Sequence, residues 1–111
     1  MNLPKLFDVG PFQIRVVLID SDYSHDVGEQ YGSYVERSNT IYLDKGVIDR
    51  GGPDAVNLVI HELMHVIYRQ YSLLNKTDEE LIVNAFANGL TELFKRTQLL
   101  KWVKYTIGKN K

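Results

Sequence analysis

The chain of 111 residues contains no cysteine. Without thiols it can form no disulfide, no iron–sulfur cluster, no cysteine-type zinc finger and no thiol nucleophile. Any metal must therefore be bound by histidine, carboxylate or backbone oxygen, and the histidines number three, His25, His61 and His65. The sequence also has no apolar run near its start long enough for a signal peptide or a membrane span. We therefore expect a cytoplasmic protein that does not associate with a membrane.

The rest of the composition is that of a globular domain. Apolar residues make up 44% and charged residues 24% of the chain, which at this length predicts one domain over residues 1–111. The net charge of −1 is unevenly distributed, because six basic residues and no acid follow Glu92. We interpret this basic end as a solvated helix terminus. Nucleic-acid binding is disfavoured, because the preceding residues are acidic and contain no recognition motif.

The first half of the chain predicts strands. Phe12–Asp20 is rich in β-branched residues and is predicted as a strand. Tyr31–Glu36 and Thr40–Asp44 flank the polar residues 37–39, and apolar residues alternate in the second run, which indicates a β-hairpin. The residues between this hairpin and Pro53 are predicted as a loop, because they contain three glycines.

The second half predicts helices. A buried helix is expected from Pro53 to about Ser72, and a second one after Asn75, where Thr77 and Glu80 have the spacing of a capping box. The apolar stripe of the second helix is predicted at Val83, Phe86, Ala87, Leu90 and Phe94. A short third helix is expected after Arg96, with Leu99, Leu100, Val103 and Ile107 on its apolar face. We interpret Trp102 and Phe94 as core or rim residues and not as a base-stacking platform.

The residues His61-Glu62-Leu63-Met64-His65 form an H-E-x-x-H motif inside the first helix. Positions four apart lie on one helix face, so both imidazoles can bind one ion. Glu62 lies about 100° further round, where it can act on a metal-activated water without binding the metal. This is the arrangement of hydrolytic zinc sites, which have two histidines, a third protein ligand and a carboxylate base. A buried polar network without metal is the alternative interpretation.

The third ligand is expected among Glu79, Glu80 and Glu92, because His25 lies in a polar loop and is interpreted as solvated. Measured around the helix axis from the centre of the predicted apolar stripe, Glu79 is at about −40° and Glu80 at about +60°. Glu92 lies well away from the stripe. Periodicity therefore favours Glu79, and Glu80 has a competing role as the partner of Thr77.

The motif, the segment Asp78–Leu90 and the hairpin Tyr31–Leu43 resemble the small zinc metallopeptidase-like proteins of phages and mobile elements, relatives of the ImmA/IrrE-type metallopeptidases. The resemblance extends over roughly residues 12–94. The order of strand, hairpin, helix and helix predicts an α+β fold with a small antiparallel sheet of one strand and a hairpin. The resemblance implies that this is a minimal zincin-like core, with the sheet packed on the H-E-x-x-H helix and a second helix. The family's ligand Glu precedes a Phe-Ala pair, which here points to Glu80. Some relatives carry a Glu where this chain has Ile82, so Glu79 stays the alternative.

The expected function is that of a zinc-dependent metallopeptidase of the gluzincin type, acting on a protein or peptide in the bacterial cytoplasm or a phage-infected cell. Zn²⁺ would be bound by His61, His65 and Glu80, with Glu62 as general base. Substrate backbone is expected to pair with a strand edge at Thr40–Asp44. Five tyrosines are candidates for the oxyanion donor: Tyr23, Tyr31, Tyr34, Tyr42 and Tyr68. The alternative is a zinc-binding interaction module with little or no turnover. The substrate and the oligomeric state stay open.

Overall fold

Four strands form one mixed sheet in the computed structural model, which describes residues 1–20, 31–71 and 79–108. The sheet has the order β1-β2-β4-β3. Its strands are β1 (Leu6–Val9), β2 (Phe12–Ile19), β3 (Gly32–Val35) and β4 (Thr40–Asp44). The predicted strand and both strands of the predicted hairpin are thereby confirmed, and so is the α+β class.

The prediction that this sheet is antiparallel is wrong. β3 and β4 pair antiparallel as expected, but β4 also pairs parallel to β2, with Arg15 opposite Thr40. Parallel neighbours need a connection long enough to bring the chain back to the same end of the sheet. The 20 residues between Ile19 and Thr40 supply that length and include β3 itself, so β4 lies between β2 and β3.

Two elements were not predicted from the sequence. β1 forms a hairpin with β2 across Gly10, whose φ of 57° suits a glycine. Helix α1 (Lys45–Arg50) replaces the expected loop. The side chain of Asp44 accepts a hydrogen bond from the Val47 amide at 3.0 Å, and so caps the start of α1. Because Asp44 is also the last residue of β4, the chain turns directly from sheet to helix.

Three longer helices follow, as the sequence predicts: α2 (Gly52–Gln70), α3 (Glu79–Arg96) and α4 (Leu99–Ile107). Pro53 is in the first turn of α2. The predicted capping box cannot be compared, because Thr77 lies outside the described residues. None of the described helices is both long and apolar enough to cross a lipid bilayer.

The core lies between the sheet and α2, which contributes fully buried residues along more than three of its turns, from Ala55 to Ile67. Trp102 of α4 is buried in the same core, as expected, whereas Phe94 is exposed. The face predicted for α4 is confirmed in part, since Leu99 is buried but Leu100 and Ile107 are exposed. Fully buried core residues of the sheet and of α2 are Phe7, Ile14, Ile41, Leu43, Val59, Leu63, Val66 and Ile67.

The apolar stripe predicted for α3 is confirmed only in part, because Phe86 and Leu90 pack against the core but the centre of the buried face lies about one third of a turn away from the predicted centre. Ala85, Gly89 and Leu93 are buried, whereas the predicted Val83 and Phe94 are exposed. The small residues let α3 approach α2 closely: a Cβ on Gly89 would lie 2.7 Å from Cδ1 of Ile67. Large apolar side chains suggested the stripe, but the helix contact is made along the face that carries the smallest residues.

Candidate metal centre

His61 and His65 are both exposed on α2. Their Nε2 atoms are 3.2 Å apart, and the two rings meet edge to face with centroids 4.8 Å apart. The spacing of four residues has therefore brought the imidazoles together, as the sequence predicts. In the absence of an ion, one ring can donate a hydrogen bond to the other, depending on the tautomer.

The imidazole pair fits zinc. Zn–N bonds of about 2.0–2.1 Å at tetrahedral angles separate two ligand nitrogens by about 3.3 Å. The observed 3.2 Å between the Nε2 atoms is close to that separation. Burial, together with His61 and Arg69, lowers the pKa of His65 below its ordinary value. A lowered pKa favours the neutral imidazole, which is the form that binds a metal ion.

Glu62 is directed to another side of α2, towards the edge strand β3. Its side chain is buried, with 4% exposed, and a Cβ on Gly32 would lie 2.9 Å from its Oε2. Burial raises the pKa of this carboxyl group, and the neighbouring His61 opposes the shift. The carboxyl group therefore lies beside the imidazole pair without being part of it, in a space that exists because residue 32 has no side chain.

Two hollows meet at His61. The first, of about 280 Å³, lies between α2 and α3 and contains both imidazoles. The second, of about 330 Å³, lies between α2, the end of α1 and the start of β3. His61, Met64, His65, Tyr68 and Phe86 line the first; Tyr31, Gly32, Val47, Arg50, Asp54, Asn57, Leu58 and His61 line the second. An extended molecule that passes over His61 could therefore occupy parts of both hollows.

The carboxylates predicted as third ligands do not join the imidazoles. Glu79 and Glu80 are the first residues of α3 and are exposed, and Glu92 is paired with Arg96 on the same helix. In the described ranges no three His, Cys, Asp or Glu side chains are grouped so as to hold a metal ion. The side chain of α3 that lines the hollow is Phe86. The structure therefore brings together His61 and His65 with Glu62 beside them, and leaves the third ligand unassigned.

The positions of Glu79 and Glu80 around the axis of α3 distinguish these two candidates for the third ligand. Glu79 precedes Phe86 by seven residues, which returns it to within about 20° of the same face. Glu80 precedes Phe86 by six residues and is turned away by about 120°. Relative to the hollow that contains the imidazoles, Glu79 is the better oriented of the two. His25 lies outside the described residues.

The strand edge predicted to bind substrate is wrong. β4 is an inner strand, paired with β2 on one side and β3 on the other, and both Thr40 and Asp44 are buried. In the part of the chain that the structure describes, the edge nearest the imidazoles belongs to β3. Its Gly32 was not singled out from the sequence, although an isolated glycine in a strand is a signal of a close contact.

The tyrosine candidates now separate by position. Tyr68 lines the hollow that contains both imidazoles, and Tyr31 lines the second hollow. Tyr34 is a half-buried residue of β3, and Tyr42 lies on the inner strand β4. Tyr23 lies outside the described residues. Only Tyr68, of the described candidates, therefore shares a hollow with His61 and His65 together.

Comparison with known proteins adds no relative. No protein-family model, no curated protein and no solved structure matches the chain significantly. The interpretation of the site therefore depends on the H-E-x-x-H residues and on the structure that surrounds them.

Proposed function

We propose that the protein is a zinc-dependent metallopeptidase that hydrolyses peptide bonds of a protein or peptide substrate. The observation that carries the proposal is the Nε2 pair 3.2 Å apart beside a buried carboxyl group at a strand edge. The resemblance to the ImmA/IrrE-type metallopeptidases supports the same activity in a phage or mobile-element setting.

His61 and His65 would hold the zinc ion, with a carboxylate from the start of α3 as third ligand. Helix phase favours Glu79, whereas the family pattern favours Glu80, whose role as a ligand stays part of the proposal. When bound, zinc would polarise the substrate carbonyl and acidify water enough for attack at neutral pH.

Glu62 would act as the general base. It would take a proton from the attacking water as the new C–O bond forms, and would deliver that proton to the leaving amine as the C–N bond breaks. Its burial supports this role, because a carboxylate removed from water is a stronger base than an exposed one. Contact with Gly32 restricts the positions that its carboxyl group can take.

Substrate would bind as an additional strand alongside β3, in place of the edge predicted at Thr40–Asp44. Strand addition uses main-chain hydrogen bonds, and neighbouring hollows accept alternate side chains. Here the hollow of about 330 Å³ is lined by Gly32 of β3 and by His61. A chain paired along β3 would therefore pass close to the imidazole pair.

Metal content of protein purified without added zinc tests the site first. We expect one zinc per chain, a higher melting temperature with zinc than with EDTA, and loss of both in the His61→Ala and His65→Ala variants. Glu79→Gln and Glu80→Gln form a matched pair, of which the true ligand variant loses at least the roughly 10–100-fold in zinc affinity that removal of a partner behind a ligand costs. Protein that binds no zinc would overturn the proposal.

Proteolysis then tests the activity. Zinc-loaded protein is incubated with a library of internally quenched peptides, and Glu62→Gln is the inactive variant, with Glu92→Gln as the control on an exposed ion pair. We expect cleavage that Glu62→Gln abolishes and Glu92→Gln retains. Zinc binding without cleavage by the wild type would favour the alternative, a zinc-binding interaction module, for which the unassigned third ligand is the supporting observation.

A further inference from the structure

The side chain of Tyr68 shares one face of α2 with the two imidazoles. At 100° per residue, His65 lies about 40° from His61, and Tyr68 about 20° from His61 in the other direction. All three side chains line the hollow of about 280 Å³ between α2 and α3. The sequence motif does not include Tyr68, because it lies three residues beyond the second histidine.

The rest of that hollow is apolar. Apart from the imidazoles and Tyr68, its lining consists of Met64 and Phe86. Among the described residues that line it, the phenol of Tyr68 is therefore the one side-chain hydroxyl. A negative charge that develops beside such an apolar lining has no other side-chain hydroxyl of that lining to stabilise it, so one directed donor would contribute strongly.

Tyr68 and Glu62 lie on opposite flanks of the imidazole pair. Measured round the helix from His61, Glu62 is at about +100° and Tyr68 at about −20°, with His65 between them. In peptide hydrolysis the attacking oxygen and the carbonyl oxygen are two different substituents of the same carbon. A base for the first and a donor for the second must therefore approach from different directions, and these two residues do.

We propose that Tyr68 is a catalytic residue that donates a hydrogen bond to the carbonyl oxygen of the scissile peptide; the proposal rests on the peptidase function above. As water attacks, the C–O π electrons move onto that oxygen, and the phenol O–H donates to it while keeping its proton. When the C–N bond breaks, the electrons return and the carbonyl re-forms. The water proton passes through Glu62 to the amine, so Tyr68 ends the cycle unchanged.

The test compares Tyr68→Phe with Tyr71→Phe, a matched loss of a hydroxyl at an exposed position just beyond the end of α2. Three quantities are measured on zinc-loaded protein: zinc affinity, affinity for methylphosphonate as a tetrahedral oxyanion probe, and kcat and KM on a cleaved peptide. We expect Tyr68→Phe to keep the zinc affinity and KM within about twofold of the wild type. It should lose about 100-fold in kcat and roughly tenfold or more in methylphosphonate affinity. Tyr71→Phe should match the wild type in all three.

Each contrary result has its own meaning. Wild-type protein that binds no zinc overturns the peptidase function and this inference with it. If the wild type binds zinc and Tyr68→Phe has lost zinc affinity, Tyr68 is a ligand and the donor role is wrong. If zinc binding is retained and methylphosphonate affinity is the same in both proteins, or is absent from the wild type, the donor role alone is overturned. The binding measurements decide the question even without a cleavable peptide.

Discussion

The carboxyl group of Glu62 occupies the space that a side chain on Gly32 would need. A Cβ built on Gly32 lies 2.9 Å from Oε2 of Glu62 and 3.1 Å from Cδ1 of Leu58. Side-chain carbons are rarely so close to other atoms, so a larger residue at position 32 has to displace the carboxyl group or the strand. The position of the proposed base therefore depends on a glycine in the neighbouring strand.

Gly32→Ala is expected to reduce peptide hydrolysis while leaving zinc binding intact. Moving the carboxyl group by even a fraction of an ångström misplaces the base, and such a change should lower kcat by about tenfold or more. Zinc affinity should stay within about twofold, because the atoms nearest to a Cβ at residue 32 belong to Glu62 and Leu58 and not to the imidazoles. Ser33→Ala, one residue along β3, is the control, and equal kcat values for the two variants would contradict the prediction.

Glu62→Gln is expected to stabilise the metal-free protein as it abolishes hydrolysis. The pKa of Glu62 is raised because burial penalises the charged carboxylate, so at neutral pH that charge opposes folding. A neutral amide of the same shape should raise the free energy of unfolding by about 1 kcal/mol at pH 7 in EDTA. Urea unfolding of both proteins measures this, and a variant less stable than the wild type would show that the carboxylate is well satisfied.

Gly89→Ala is expected to destabilise the protein although alanine favours helix. A Cβ at residue 89 would lie 2.7, 2.8 and 3.0 Å from three side-chain carbons of Ile67, whose branched side chain cannot turn all of them away. Overpacking of this kind costs about 1–3 kcal/mol, which exceeds the helix-propensity gain of about 1 kcal/mol. Asn88→Ala on the exposed side is the control. The double variant Ile67→Ala/Gly89→Ala should lose less free energy of unfolding than the sum of the losses in the two single variants. A loss equal to that sum would contradict the proposed contact.

Tyr34→Phe is expected to lessen the loss of stability at alkaline pH. The hydroxyl of Tyr34 is buried without a hydrogen-bond partner among the described residues, and burial raises its pKa above the ordinary value of 10.0. Gln70 offsets that shift only in part. As pH rises, the unfolded chain therefore loses the Tyr34 proton before the folded protein does. Ionisation of Tyr34 leaves the free energy of unfolding unchanged below pH 10 and lowers it as pH rises from there towards the folded-state pKa.

Phenylalanine removes this contribution. Near pH 7 the variant should be about as stable as the wild type, because phenylalanine removes a buried, poorly paired hydroxyl and loses only its weak interaction with Gln70. Above pH 10 its free energy of unfolding should decrease less steeply with pH. Thermal melts at several pH values above 10 measure how steeply the stability of the wild type and of Tyr34→Phe depends on pH. The same dependence in both proteins would mean that Tyr34 has the same pKa in the folded and unfolded states.

Local signals predicted most of the elements that form the site. The i,i+4 spacing of His61 and His65 fixes their distance within one helix, and Pro53 marks the start of that helix. The β3–β4 hairpin is likewise specified by alternation around a short turn, in which Asn39 adopts a left-handed φ of 50°. These features depend on neighbours in sequence, which is why the sequence alone is sufficient to predict them.

Features that depend on distant partners were not predictable in the same way. The direction of β4 relative to β2 is decided by where a 20-residue connection returns, and no residue in either strand encodes it. The buried face of α3 depends on its packing against α2, where the close contact of Gly89 with Ile67 leaves no room for a larger apolar residue. The choice between Glu79 and Glu80 did not depend on this error, because the predicted stripe and the observed phase of α3 both favour Glu79, and Glu80 was taken from the family pattern.

The parallel pairing of β2 with β4 has a consequence for the order of folding. The β1–β2 and β3–β4 hairpins each join neighbouring segments, but the β2–β4 pairing closes a long loop and is entropically costly to form early. Gly32, Glu62 and both imidazoles all belong to residues 31–71, a segment that lies on one side of that junction. The imidazole pair and the proposed base can therefore come together within one contiguous segment, whereas the carboxylate proposed as third ligand has to be brought to them by the packing of α3 on α2.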